Sequence, residues 1–136
     1  MSRLYLDACC IIYLEEATGT FHAAVVARIL RHRADPRSIV VTSRLSRLEC
    51  RTLPLKNADT GLLLAYERFF SGKRVFVAEV TPAVIESATE LRARFGFKTP
   101  DAIHLATAIE AQVDRFLTGD ATLTRCTEVA VEVLVP

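Results

Sequence analysis

Two textures of apolar residues alternate along this chain. Compact runs over Arg3 to Leu6, Ser38 to Thr42, Val75 to Ala78 and Phe116 to Thr118 have the length and the β-branched or aromatic content of strands. Ile39-Val40-Val41 is continuous rather than alternating, as a parallel strand covered on both faces is. Between these runs the apolar residues fall at helical spacing. The pattern predicts helices over Ala8 to Glu16, stopped near Gly19, and over Phe21 to Arg33, where Ala23, Val26, Ala27 and Leu30 share a stripe. Asp35-Pro36 breaks the second of them. Ser43 opens a further helix that ends near Pro54, and Ala58 to Ser71 is the next, closed by Gly72. Thr81-Pro82 is a cap followed by proline, which starts a helix running to about Phe95 and ending at Gly96. Thr99-Pro100-Asp101 repeats the device for a helix reaching about Gln112, and Val129 to Val135 is a fifth strand. Strands alternating with helices predict an α/β fold, a central and mostly parallel sheet flanked by helices on both faces.

The chain has 136 residues, which suits one domain and buries roughly two-thirds of its unfolded surface without disulfide or metal staples. Apolar residues at 51% and charged residues at 24% exclude a disordered chain. The longest apolar run, Ala8 to Leu14, is far shorter than the ~20 residues of a membrane helix. Asp7 and Glu15-Glu16 interrupt any leader-like stretch, so a cytoplasmic protein with no membrane contact is expected. Cys9, Cys10, Cys50 and Cys126 form no Cys-x-x-Cys pair, and His22, His32 and His104 lie outside metal-ligand spacing. Reduced, buried thiols are expected.

The net charge of +1 hides an asymmetry. Residues 25 to 56 carry a net +6 and the remainder −5, and arginine outnumbers lysine 14 to 3. A guanidinium suits bidentate phosphate contact, so the basic stretch permits a nucleic-acid partner, although a solvated basic helix face accounts for it equally well.

The placement of the acids says more. Of six aspartates, Asp7 follows the first strand, Asp120 follows the fourth, and Asp101 sits in the first turn of a helix. Ligands of open parallel sheets bind beyond the carboxyl ends of the strands, which puts Asp7 and Asp120 on one rim, joined by Asp101 if its helix starts there. Glu49 comes seven residues after Thr42, about two turns into a helix, where its side chain can point back over that rim. His104 lies one turn after Asp101 on the same helix face. Taken singly, each aspartate is explained as a cap or turn former worth about 1 kcal/mol. A surface ion pair with Arg44, Arg47 or Arg51 likewise explains Glu49, and a helix hydrogen bond explains His104.

Read together, four stretches resemble the PIN-domain nucleases, and most closely the VapC-type toxins of prokaryotic toxin–antitoxin pairs. They are Leu4-Tyr5-Leu6-Asp7, Ser43-x-x-Ser46-x-x-Glu49, the run from Thr99-Pro100-Asp101 to Ala108, and Phe116-Leu117-Thr118-Gly119-Asp120. The third is the most specific, and their order and spacing span essentially the whole chain. The resemblance implies a single PIN-like domain over residues 1–136. It implies that Asp7, Glu49, Asp101 and Asp120 bind Mg²⁺ or Mn²⁺ and cleave RNA as a metal-dependent endoribonuclease. Asp7 and Asp101 are expected as the main ligands, with Glu49 and Asp120 completing the shell, orienting a water or holding a second ion. Arg44 and Arg47 are expected to guide the RNA backbone. The resemblance further implies a VapB-type antitoxin partner and a homodimer, for which Leu62 to Phe70 offers a face that core packing explains equally well. It departs at Ala8 and Cys9, where many relatives carry Ser or Thr.

Rivals fit less well. A haloacid-dehalogenase-type phosphatase needs an aspartate where Cys9 stands, and a receiver domain needs an acidic pair where Asp7 stands alone. Scattered glycines exclude a phosphate-cradling loop. Flap-type DNA nucleases of this fold need insertions for which 136 residues leave little room. The stronger alternative is a non-catalytic PIN-like module that binds RNA or protein, against which the presence of all four acids argues.

Overall fold

In the computed structural model, which describes residues 2–17 and 19–136, the strands are β1 (Arg3–Leu6), β2 (Ile39–Ser43), β3 (Val75–Ala78), β4 (Arg115–Thr118) and β5 (Val131–Val133). They form one sheet in the order β3-β2-β1-β4-β5, every pairing parallel. The helices are α1 (Ala8–Glu16), α2 (Phe21–Arg33), α3 (Arg44–Lys56), α4 (Thr60–Phe70), α5 (Pro82–Phe95) and α6 (Thr99–Glu110). The chain leaves β1 in the middle, builds outward through β2 and β3, then returns to lay β4 and β5 on the other side. The strand order therefore reverses between β1 and β4, which is where open parallel sheets hold ligands.

Consecutive strand residues face opposite layers, and both layers are apolar. Leu4, Leu6, Val40 and Leu117 pack with Cys10 and Ile11 of α1, Val25 and Ile29 of α2 and Tyr66, Phe69 and Phe70 of α4. Tyr5, Val41 and Phe116 pack with Val84, Ala88 and Leu91 of α5 and Ala102, Leu105 and Ala106 of α6. This two-sided burial is why the strands read as unbroken apolar runs. It also turns Tyr66, Phe69 and Phe70 of the Leu62 to Phe70 stretch into the core, with Leu62 packed partly buried against it, while Leu64 stays exposed.

The expected helices form, with differences at their ends. Thr81 caps α5, its Oγ1 accepting from the Val84 amide at 3.2 Å, and Gly96 closes that helix at φ +74°. The same device does not operate at α6. Thr99 is already helical there, and Lys98 occupies the cap position without a side-chain bond. The expected stop near Pro54 is also corrected, since α3 continues to Lys56. Pro54 continues the buried row of Ser46 and Cys50 at four-residue spacing. It removes one backbone bond near a helix end, a smaller loss than in mid-helix. Ala58, at φ +52°, then separates α3 from α4, which starts at Thr60 under an Asp59 cap rather than at Ala58. A 3-10 helix over Ala121–Arg125 follows β4, and β5 is shorter than the expected 129–135.

The core reading predicts a clear ranking. Phe116→Ala, which removes a fully buried ring at the sheet centre, should lower unfolding free energy in urea by about 3–5 kcal/mol. Thr81→Ala, which removes only a cap, should cost about 1 kcal/mol.

Candidate active site

The four acids reach one place from four directions. Asp7 leaves the end of β1 as the N-cap of α1, and Asp120 leaves the end of β4 as the N-cap of the 3-10 helix. Glu49 comes from the second turn of α3 and Asp101 from the first turn of α6. Together with Ala8, Cys9, Tyr13, His104, Gly119 and Ala121 they line a pocket of about 420 Å³. None of these lining residues is a lysine or arginine.

Local bonds aim each acid. Asp7 is buried, and its Oδ1 accepts from the Cys10 amide at 3.1 Å and from the Cys9 thiol at 2.9 Å. Cys9 thus makes the short-range contact for which a hydroxyl at this place is suited, which accounts for the departure from Ser or Thr. Asp120 accepts on Oδ1 from the amide and hydroxyl of Thr122 at 2.9 and 2.8 Å, while its own amide donates to Thr118 Oγ1. Gly119 brings the turn against the Tyr13 ring, where an added Cβ would come within 3.1 Å. For α3, the Ser43 hydroxyl caps the helix by accepting from the Leu45 amide at 3.0 Å. The fully buried Thr42 hydroxyl donates to the Leu6 carbonyl and meets the Ser46 hydroxyl, each at 2.7 Å. Those two bonds tie the start of α3 to the end of β1 and so set where Glu49 stands.

Glu49 has a partner that the sequence did not declare. His104 Nε2 lies 2.6 Å from Glu49 Oε1, and His104 Nδ1 lies 2.7 Å from the fully buried Tyr5 hydroxyl. Burial, with the negative charges of Asp7 and Glu49 nearby, pushes the Tyr5 pKa well up, so its hydroxyl stays protonated. Tyr5 was legible only as core. The signal was a tyrosine within an otherwise aliphatic strand, because a buried phenol needs a hydrogen-bond partner.

The site concentrates negative charge. Burial and then Asp120 push the Asp101 carboxyl above its usual range, with Asp7 and Glu49 adding and His104 opposing. Carboxylates gathered around one half-buried pocket repel one another, so such a ring calls for a cation or for protons. The donor chemistry fits a hard divalent ion. For Asp7, Glu49 and Asp120 the hydrogen bonds fall on one oxygen, leaving the other without a protein donor among the described residues.

The only Asp, Glu, His or Cys trio among the described residues with ligand atoms within 4.8 Å of one another is Asp7, Cys9 and Cys10. Its thiols are engaged as donors, Cys9 to Asp7 and Cys10 to the Leu117 carbonyl, and hydrogen bonding to Cys9 and burial raise the Cys10 pKa well above the usual thiol range. The four carboxylates thus ring the pocket rather than crowd one point. Mg²⁺, which keeps several waters and takes few direct carboxylates, suits such a ring better than a soft ion does.

Arg44 and Arg47 lie outside the pocket lining. Arg44 forms an exposed pair with Glu79 at 2.5 Å, and Arg47 pairs with Glu67 at 3.0 Å with its guanidinium over the Phe70 ring. Arg28 is bound bidentately by Glu132. The basic stretch is therefore partly neutralised by acids from elsewhere in the chain. No helix among the described residues is long and apolar enough to cross a membrane.

Known structures repeat this architecture. The chain is similar to VapBC2 from Rickettsia felis, solved bound to a DNA fragment from its promoter, at 12% identity and a TM-score of 0.81, covering 98% of this chain and 99% of that one. It is similar to VapC20 from Mycobacterium tuberculosis, described as a sarcin–ricin-loop-cleaving toxin, at 20% identity and a TM-score of 0.72, covering 93% and 98%. A toxin–antitoxin complex from Klebsiella pneumoniae matches at 18% identity and a TM-score of 0.69, covering 93% and 95%. At these identities the likeness establishes the fold. No curated protein sequence matches the chain significantly. The sequence profile of the PIN domain, a family whose members are generally nucleases and typically use a divalent metal, matches residues 4–129. With that match over nearly its whole length, the chain belongs to the PIN-domain family.

Proposed function

We propose that this protein is a metal-dependent endoribonuclease that uses Mg²⁺, with Mn²⁺ as a substitute, and acts in the cytoplasm as the toxin of a toxin–antitoxin pair. The observation that carries the reading is the convergence of Asp7, Glu49, Asp101 and Asp120 on one pocket without a lysine or arginine in its lining. A structural neighbour described as cleaving the sarcin–ricin loop supports RNA as the substrate class. Neighbours solved as toxin–antitoxin complexes support a small VapB-type antitoxin as the partner that blocks the site. A homodimer is part of the same reading.

The roles follow from position. Asp7 and Asp101 hold the ion, because both sit at helix starts where the dipole favours a carboxylate and an incoming phosphate. A bound divalent ion would supply charge neutralisation on the phosphodiester and a bound water that gives up its proton more readily than bulk water. Glu49 and Asp120 present one oxygen each to orient the attacking water or to hold a second ion. Arg44 and Arg47 meet the RNA backbone. Their pairs with Glu79 and Glu67 reach the surface, where solvent screens them, so a phosphate can take the place of either acid.

Purified protein freed of co-purifying partners should cut total RNA with Mg²⁺ and not with EDTA. Asp7→Asn and Asp101→Asn should each lower the rate by about a hundredfold or more. Cleavage surviving in both variants would assign the activity to a contaminant. Arg44→Ala combined with Arg47→Ala should weaken RNA binding and flatten its salt dependence, with the slope of log K against log salt falling by about 1–2, while the melting shift caused by Mg²⁺ is kept.

The raised Asp101 pKa fixes a sign. Its ionised form is disfavoured in the fold, so without metal Asp101 costs stability above its folded pKa and costs nothing below its unfolded value. Asp101→Asn should therefore be the more stable protein in EDTA at pH 7, with the difference shrinking as pH falls toward 4. Adding Mg²⁺ should raise the melting temperature of the wild type more than that of this variant, and a larger shift in the variant would contradict the assignment.

A further inference from the structure

We infer that Tyr5 and His104 form a positioning pair that fixes the Glu49 carboxylate, with Oε1 bound to His104 and Oε2 turned to the pocket. The inference deepens the metal-site reading and rests on it. Tyr5 is fully buried on the central strand, with its ring stacked on Phe116 at 4.9 Å and 9° and meeting the His104 ring edge-on at 5.9 Å and 71°. His104 is 3% exposed. Neither ring has room to turn without displacing the core, so the 2.7 Å and 2.6 Å bonds along Tyr5–His104–Glu49 are held by packing.

A carboxylate accepts, so it is Nε2 that carries the proton facing Glu49. The Tyr5 hydroxyl donates to Nδ1 and thereby selects that tautomer. Glu49 itself is long and only half-buried, with three side-chain torsions and no other protein donor among the described residues. Without His104 nothing on the protein side would choose its rotamer. With it, Glu49 offers a single oxygen at a set place. Outer partners that orient metal-site carboxylates are worth about 10–100-fold in metal affinity when lost.

Two near-isosteric replacements separate positioning from simple core filling. Glutamine places an N–H where His Nε2 stands and keeps the bond to Glu49. Asparagine places its amide nearer Nδ1, keeping the Tyr5 side and leaving Glu49 alone. Mn²⁺ binding is measured on each folded variant from the free-ion electron paramagnetic resonance signal, with urea unfolding run alongside. His104→Gln should recover most of the wild-type affinity, while His104→Asn should bind about tenfold or more weakly at similar folding stability. Equal affinities in the two variants would overturn the positioning role while leaving the metal site standing. A wild type that binds no Mn²⁺ would overturn the metal site and this inference with it. Neither readout depends on RNA being cleaved.

Discussion

β1 is hydrogen-bonded along both edges, by β2 and β4, and covered on both faces by helices. Such a strand can meet a ligand only beyond its ends, and at the carboxyl end, where open parallel sheets hold their ligands, stands Asp7. The neighbouring strands deliver their own termini to the same level, so Asp120 arrives from β4 and α3 departs from β2 carrying Glu49. The order β3-β2-β1-β4-β5 thus assembles the acids without any long loop. The Thr42–Ser46 and Thr42–Leu6 bonds hold the arrangement at its seam, between the central strand and the one helix that brings its acid in from two turns away.

An apolar sheet centre supporting a ring of carboxylates is an unfavourable place to put negative charge, and the structure distributes the cost. Each of Asp7, Glu49 and Asp120 has an oxygen stabilised by protein donors, from Cys9 and the Cys10 amide, from His104 and from Thr122 respectively. Asp101 has no such donor among the described residues, and burial, followed by the charge of Asp120, pushes its pKa up. A folded site in which five of these eight carboxylate oxygens have no protein donor among the described residues suits the proposed cation. Binding of that ion would offset repulsion already present in the fold.

The sheet and the acidic rim were legible in the sequence because both follow from local signals. Continuous apolar runs identified the parallel strands, and aspartates placed directly after strands or in a first helical turn identified the rim. Side-chain partnerships across elements were not legible. Nothing local ties Tyr5 to His104, 99 residues away, or His104 to Glu49, 55 residues away. Charge read along the chain also misled by omission. The +6 stretch looks like a free basic face, yet Arg28, Arg44 and Arg47 meet Glu132, Glu79 and Glu67 in space. Pro54 and Thr99 show the same limit at helix ends. A proline was accommodated where its ring extended a buried row, and a threonine followed by proline became part of the helix instead of its cap.

The most direct measurement is an anomalous-difference map from crystals grown with Mn²⁺ and collected at the manganese edge. A peak inside the pocket, with an oxygen of Asp7 or Asp101 at coordination distance, is the result this account predicts. A folded protein whose pocket shows no peak, or whose manganese lies on acids elsewhere, would contradict it.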